Sequence, residues 1–483
     1  MNLPLQLDRG VPIPLQDQLF EQLRQLILTG KLKPNSRVIA TRFLAEQTGV
    51  SRTTVLLAYE RLISEGYLET RPAIGTFVCS TPPRGPKLAS AQDADSEVQR
   101  QAAVHPAAFR ASTLPSVNRD SLFDFSPSRF DASHLLPPKA WLRSMRNVFE
   151  RDPDGLAKPQ ADAGLRMLRE VIVDYLASTR GIMTSPERLI IVGGRRQACS
   201  LAAHLFQRRG DRVVVEAPGD DSIADFFKAR GANLVHVPVD EHGLDTGQLP
   251  KGPVSLAYVT PVRQNPLGGT MTQVRRTALI EWAREAGAYL IEDDSDSELR
   301  YHGTTPQPLT TLDPYGLVLY AGSFAKTLGA GLGLGYLVVP PEFVNAIVDI
   351  KSMSGDWCPW LEQMVVADLL TGGEYDHHLR RVRKIYLERR DALMQALRMH
   401  FGDVHLIGTE IGTQLTWLMP DRFASAQAVC DQARAHGVHV EGVVDETAKS
   451  SRFYDRALIL GYAAMTPEQL RLGVAALAEA ING

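Results

Sequence analysis

The chain has 483 residues, 44% hydrophobic and 22% charged, with 52 Lys+Arg against 55 Asp+Glu and a net charge of −3. At roughly 100–200 residues per domain, that length predicts about three domains with ample core. The charge excludes a chain that is basic along its whole length, but not a basic module carried on an acidic body. Four cysteines (Cys79, Cys199, Cys358, Cys430) form no CxxC pair, which points to a reducing, cytoplasmic setting rather than a disulfide framework. Asp8 and Arg9 interrupt the N-terminus, and the longest relevant uncharged stretch, 327–341, is glycine-rich and too short for a membrane span. No membrane partner is expected.

Residues 1–80 carry nine Lys/Arg against seven Asp/Glu, a net +2 that leaves −5 for the remainder. Leu15, Leu19, Leu23 and Ile27 recur every fourth residue and predict an amphipathic helix ended by Gly30. A second short helix is expected over about 41–47, stopped at Gly49. Ser51 is placed to cap a third, with Val55, Ala58, Tyr59 and Leu62 on one face. Two short β-type runs, 67–69 and 76–78, flank Pro72 and Gly75 and predict a hairpin.

Helix, helix–turn–helix and hairpin make a winged helix–turn–helix. Its third helix would enter a major groove by its N-terminus, presenting Ser51, Arg52, Thr53 and Thr54. Arg52 is the best base reader, because its fork matches guanine O6 and N7. Lys31, Lys33, Arg42 and Arg71 are better placed for phosphates. A small helical protein-binding domain with solvated charges would share the same pattern. The stretch also resembles the GntR-type winged helix, through residues 26–34, 42–45, 49–55, 58–59, 62, 65–68 and 75–78 in register. The resemblance implies a double-stranded DNA operator as partner. It departs at Asn35, where the family usually has Gly, and at Ile39–Ala40, where it usually has Pro–Ser.

Residues 81–118, opening Thr-Pro-Pro-Arg-Gly-Pro-Lys, are rich in Pro, Ala and Ser without apolar period and read as a linker. Beyond it, strands are predicted at 189–192, 212–216, 233–237, 255–259, 288–292, 317–321 and 335–339, several separated by helical runs such as 275–286. This is α/β: a mainly parallel sheet with helices on both faces. Ligands of such sheets collect at the carboxyl ends of the strands. There the sequence places the pair Gly193–Gly194 before a helix, Asn265–Pro266, Asp293–Asp294, and Lys326 within Ser323-Phe-Ala-Lys. A phosphate cradle, a carboxylate for a ring nitrogen and a lysine for an aldehyde are what pyridoxal phosphate requires. Each also has an ordinary reading: a turn, a helix cap, a solvated charge.

Residues 121–480 resemble the fold-type I aminotransferase domain in its MocR/GabR regulator form. The matching pieces include Gly164-Leu165, Arg180-Gly181, Pro218-Gly219, Val259-Thr-Pro261, Ile291-Glu-Asp-Asp294, Asp296-Ser-Glu298, Arg300-Tyr301, Lys326-Thr-Leu328 and Gly335-Tyr336. The resemblance implies a winged helix at 1–80, a linker at 81–118 and an aminotransferase-like effector domain at 119–483. The last would divide into a large subdomain (about 165–340) and a smaller C-terminal α+β subdomain (about 345–483). It further implies a homodimer and a small amino-compound effector, with Lys326 as the imine lysine and Asp293 as the pyridinium partner. Asn265 would face the ring hydroxyl, and Ser323 and Gly194 would lie on the phosphate side.

The departures fall around that one ligand. Ser295 stands where the family has a Tyr that reaches the ring hydroxyl, and Gly333 where it has a phosphate-neutralising Arg. Asp220 replaces the usual aromatic, and Pro159 a tyrosine. Arg195 and Arg196, at the helix start, are candidates to restore the lost positive charge. Three readings stay open: a regulator sensing through pyridoxal phosphate, a regulator whose pocket has abandoned it, and an active aminotransferase. The last needs a clamp for a substrate carboxylate, for which Arg452 and Arg456 are the candidates. A Ser–Lys hydrolase, suggested by Ser323-x-x-Lys326, lacks its companion motifs.

Overall fold

The computed structural model describes residues 4–8, 10–11, 13–72, 74–82, 122–127, 129–131, 137–423, 425–443 and 454–482. It divides into two compact units, Met1–Pro106 and Ala107–Gly483. Beyond residue 82, the stretch read as a linker lies outside the described residues.

In the first unit, α1 (Leu15–Leu28), α2 (Thr41–Thr48) and α3 (Arg52–Ser64) precede strands β1 (Leu68–Arg71) and β2 (Gly75–Val78), paired antiparallel with Leu68 opposite Val78. The four-residue spacing buries Leu19, Leu23 and Ile27 of α1 together with Val55, Ala58, Tyr59 and Leu62 of α3 in one core. Such side chains contribute about 1.5–3 kcal/mol each when fully buried. Ser51 caps α3 by accepting the Thr54 N–H at 3.0 Å. Both departures from the GntR pattern acquire a physical reading. Asn35 sits at φ +62°, the left-handed region for which glycine is best suited, and asparagine is among the few other residues that tolerate it. Ala40 is the N-cap of α2 and supplies no side-chain hydrogen bond.

The second unit opens with β3 (Phe123–Asp124), which pairs in parallel with residues Val438–His439. Its main sheet comprises β4 (Leu189–Val192), β5 (Arg212–Ala217), β6 (Asn233–Asp240), β7 (Gly243–Leu244), β8 (Leu256–Val259), β9 (Tyr289–Asp293), β10 (Val318–Ser323) and β11 (Gly335–Val338). The strand order is β4-β11-β10-β9-β8-β5-β6-β7. From β10 to β6 every neighbour is parallel, whereas β11 runs antiparallel to both β10 and β4, and β7 to β6. Several strands differ by a residue or more at their ends from the sequence reading, so Asp293 and Ser323 end their strands instead of following them.

Side chains of a strand alternate between faces. Val213 and Val215 pack with helix Arg195–Phe206, whereas Val214 packs with helix Gln273–Ala286. The same alternation separates the two adjacent aspartates. Ile291 lies in the core containing helix Arg195–Phe206 and Leu290 in the opposite one, which directs Asp293 toward the first face.

A smaller antiparallel sheet, not foreseen strand by strand, contains β12 (His405–Ile407), β13 (Gln414–Leu418), β15 (Glu441–Gly442) and β16 (Ala457–Gly461), in the order β12-β13-β16-β15; the intervening β14 is Val438–His439, the partner of β3. The long helix Glu374–Phe401 packs on helix Pro467–Asn482 beside it. No described helix is long and apolar enough to cross a membrane.

Candidate functional site

A cavity of about 400 Å³ opens where the carboxyl ends of the parallel strands meet the start of helix Arg195–Phe206. Gly194, Arg195, Asn265, Ser295, Ser323 and Lys326 line it, along with Arg196, Gly333, Phe130 and Gln414. Six of the seven residues proposed around a cofactor therefore line one cavity. The seventh, Asp293, lies in an adjoining recess bounded also by Arg195, Asn265, Ser295 and Lys326.

Each position follows from local structure. Gly194 is the N-cap at φ +105°. The first-turn N–H groups of the helix have no intrahelical acceptor, which makes this end receptive to an anion. Added Cβ atoms at Gly194 and Gly333 would meet nothing within 4 Å. The cradle beside these glycines is thus open space, as a phosphate would need. Ser323 ends β10, and its hydroxyl accepts the Ala325 N–H at 3.2 Å.

Asp293 accepts the Tyr258 hydroxyl at 2.6 Å, and its other oxygen accepts the Ser295 amide at 3.1 Å and the Ser295 hydroxyl. Asp294, by contrast, locks the architecture: Arg180 lies 2.5 Å from it and the Tyr320 hydroxyl donates to it at 2.6 Å. Neighbours in sequence thus have separate roles.

Lys326 does not meet Asp293. Its Nζ donates to both oxygens of Asp296 at 2.7 Å. Burial pulls the lysine below its ordinary pKa, and Asp296 only partly opposes this. Burial pushes Asp296 upward, but Lys326 and Arg263 reverse that and hold its carboxyl below the usual range. Arg195 pairs with Asp220 at 2.5 Å, and Asp220 also accepts the Asn265 side-chain amide at 3.3 Å. An ion pair thus involves the position where the resemblance led to an aromatic ring. Arg456 pairs with Asp421 and does not line the cavity; Arg452 lies outside the described residues.

Sequence reasoning assigned no role to Arg263, Asp296 or Glu216. Arg263 is the one charged residue between Gly252 and Val274, a signal that was available. Glu216 is buried, accepting from Thr260 and Gln264, and burial raises its pKa to about 7.

In the first unit, Ser51, Arg52 and Thr53 are exposed at the start of α3; Lys33 and Arg42, elsewhere in that unit, are also exposed. The Thr54 hydroxyl is 2.8 Å from Ser51 Oγ and so engaged within the cap. Arg71 is tied to Glu69 at 2.6 Å and lies over the Phe77 ring.

Residues 15–78 match the family of bacterial regulatory proteins of gntR type, and residues 124–477 match aminotransferase class I and II. A Rhizobium meliloti protein named "Probable rhizopine catabolism regulatory protein MocR" is 32% identical over 99% of this chain and 95% of its own length. The chain belongs to the MocR-type regulators. PdxR of Corynebacterium glutamicum, an HTH-type pyridoxine biosynthesis transcriptional regulator, is 32% identical over 82% of each chain. The crystal structure of Pyrococcus horikoshii kynurenine aminotransferase superposes with a TM-score of 0.70 at 25% identity, covering 80% of this chain and 98% of that one. This MocR-type chain therefore joins a GntR-type DNA-binding domain to an aminotransferase-fold sensor domain. Relatives matched along nearly its full length are named as regulators, not enzymes.

Proposed function

We propose that this regulator binds a double-stranded operator through residues 1–80 and senses a small amino compound through its domain at 119–483, using pyridoxal phosphate held on Lys326. The observation that carries the reading is the half-buried lysine lining the same cavity as an open glycine cradle at a helix start. The residues present fit the group. Lys326 would take its aldehyde, Asp293 its ring nitrogen and Asn265 its ring hydroxyl. The helix start, Ser323 and the nearby Arg195 and Arg196 would face its phosphate. When bound, the group would supply a carbonyl at which an amine ligand can exchange with the lysine. A two-fold dimer would present two α3 helices to a repeated or palindromic operator.

The test is spectroscopic. The purified protein with added cofactor should show a band at about 420 nm, which borohydride removes by fixing the adduct on Lys326 and which Lys326→Ala lacks. Absence of the band overturns the cofactor reading. A second reading, a sensor that has abandoned the cofactor for another small molecule, draws on the Arg195–Asp220 ion pair at 2.5 Å and on glycine at 333. Its signature would be effector-dependent operator binding without that band.

A further inference from the structure

Arg263 is fully buried, and its three nitrogens have different fates. Nε donates to the Ile411 carbonyl at 3.0 Å and Nη2 to the Gln414 carbonyl at 2.9 Å, both belonging to the approach to and start of β13 in the smaller sheet. Nη1 has no hydrogen-bond partner among the described residues and lies 3.9 Å from Asp296 Oδ2. A buried guanidinium N–H without an acceptor costs free energy, which favours any state that supplies one. Among the described residues, the carboxylate it pairs with, Asp296, already holds Lys326 with both oxygens.

We propose that Asp296 and Arg263 are positioning residues that report the bonding state of Lys326 to the segment 411–418. While Lys326 is a free ammonium, Asp296 stays with it and Nη1, 3.9 Å away, is left without a hydrogen bond. When a carbonyl-bearing ligand condenses with Lys326, the ammonium first loses a proton to solvent. The amine then gives two hydrogens to the carbonyl oxygen, which leaves as water, and nitrogen becomes doubly bonded to carbon. At most one of the three N–H donors survives, so Asp296 is released to close on Nη1. Arg263 is clamped to the backbone of residues 411 and 414, so closure stiffens that segment. The space around the clamp is tight: a Cβ at Gly412 would lie 2.5 Å from Arg263 Nε. The ligand-driven half of this proposal rests on the cofactor reading above; the relay itself does not.

Backbone hydrogen exchange of the full-length protein separates the two. Lys326→Ala removes the ammonium without any ligand, and Lys326→Met does so while filling more of the space. Either should slow exchange at residues 411–418 by about threefold or more relative to the unsubstituted chain. Adding Asp296→Asn to either should abolish the slowing. Pyridoxal phosphate added to the unsubstituted chain should reproduce it, in step with the band at about 420 nm. Unchanged exchange in both lysine variants, or slowing that persists with Asp296→Asn, overturns the relay. Slowing in the lysine variants with no band in the unsubstituted chain sustains the relay and overturns only the cofactor reading.

Discussion

Lys326 Nζ sits 2.7 Å from both carboxylate oxygens of Asp296, three residues beyond Asp293, the aspartate expected to serve the same ligand. Asp293 instead holds the Tyr258 hydroxyl and Ser295. The site therefore contains two carboxylates with separate partners, one holding the amine and one holding Tyr258 and Ser295. That division shapes what substitutions should do.

Gly333 occupies the position where the resemblance leads to a phosphate-binding arginine, and space beside it is open. Gly333→Arg should tighten pyridoxal phosphate binding by about tenfold to a hundredfold, the worth of a charged hydrogen bond of roughly 1.5–3 kcal/mol. Because Gly333 has φ +57°, the variant should also lose about 1–2 kcal/mol of stability. Titration of the visible band gives the first quantity and thermal unfolding the second. Unchanged affinity would show that the phosphate does not lie beside residue 333.

Arg52 stands exposed at the start of a capped α3. Arg52→Ala should weaken operator binding by about 1–3 kcal/mol and relax preference for one guanine. Lys33→Ala should instead weaken all sequences alike and reduce the salt slope by about 0.9. Fluorescence anisotropy across a salt series, on an operator obtained by selection, distinguishes them. Equal behaviour of the two variants would contradict the placement of the reading helix.

Ala40 leaves the N-terminus of α2 without a side-chain cap. Ala40→Ser should stabilise that helix by about 1 kcal/mol, seen as slower amide exchange across Thr41–Thr48. No change would mean that the serine hydroxyl does not reach the N–H groups of the first turn.

Burial raises the Glu216 pKa from 4.5 to about 7. The folded state therefore binds a proton that the unfolded chain has lost between these values. The stability this confers is fully present below the unfolded value and is lost as pH rises through the folded one. Relative to Glu216→Gln, the unsubstituted protein should lose on the order of 1–3 kcal/mol between pH 5 and pH 8. Glu292, also raised to about 7 by burial, adds the same sign to both proteins and cancels in the difference. A flat difference across this range would place the Glu216 pKa near that of an exposed carboxyl.

Local pattern made much of this protein legible. The four-residue apolar spacing in α1, the serine before α3 and the glycines at 193 and 194 act through neighbours in the chain, so their consequences can be read directly. The alternation of strands and helices also places Asn265, Asp293, Ser323 and Lys326 at one end of a parallel sheet. What only the tertiary structure decided is which charges meet. Strand alternation separates Asp293 from Asp294, and the chain's return from residue 411 to 414 brings two carbonyls onto Arg263, about 150 residues earlier in sequence. Such pairings depend on distances of a few ångströms between distant segments, and in a buried site those distances set both charge and hydrogen bonding. The sequence by itself placed a lysine and an aspartate near the carboxyl ends of the parallel strands; the fold decided that the lysine is held by Asp296 and that Asp293 is left to Tyr258 and Ser295.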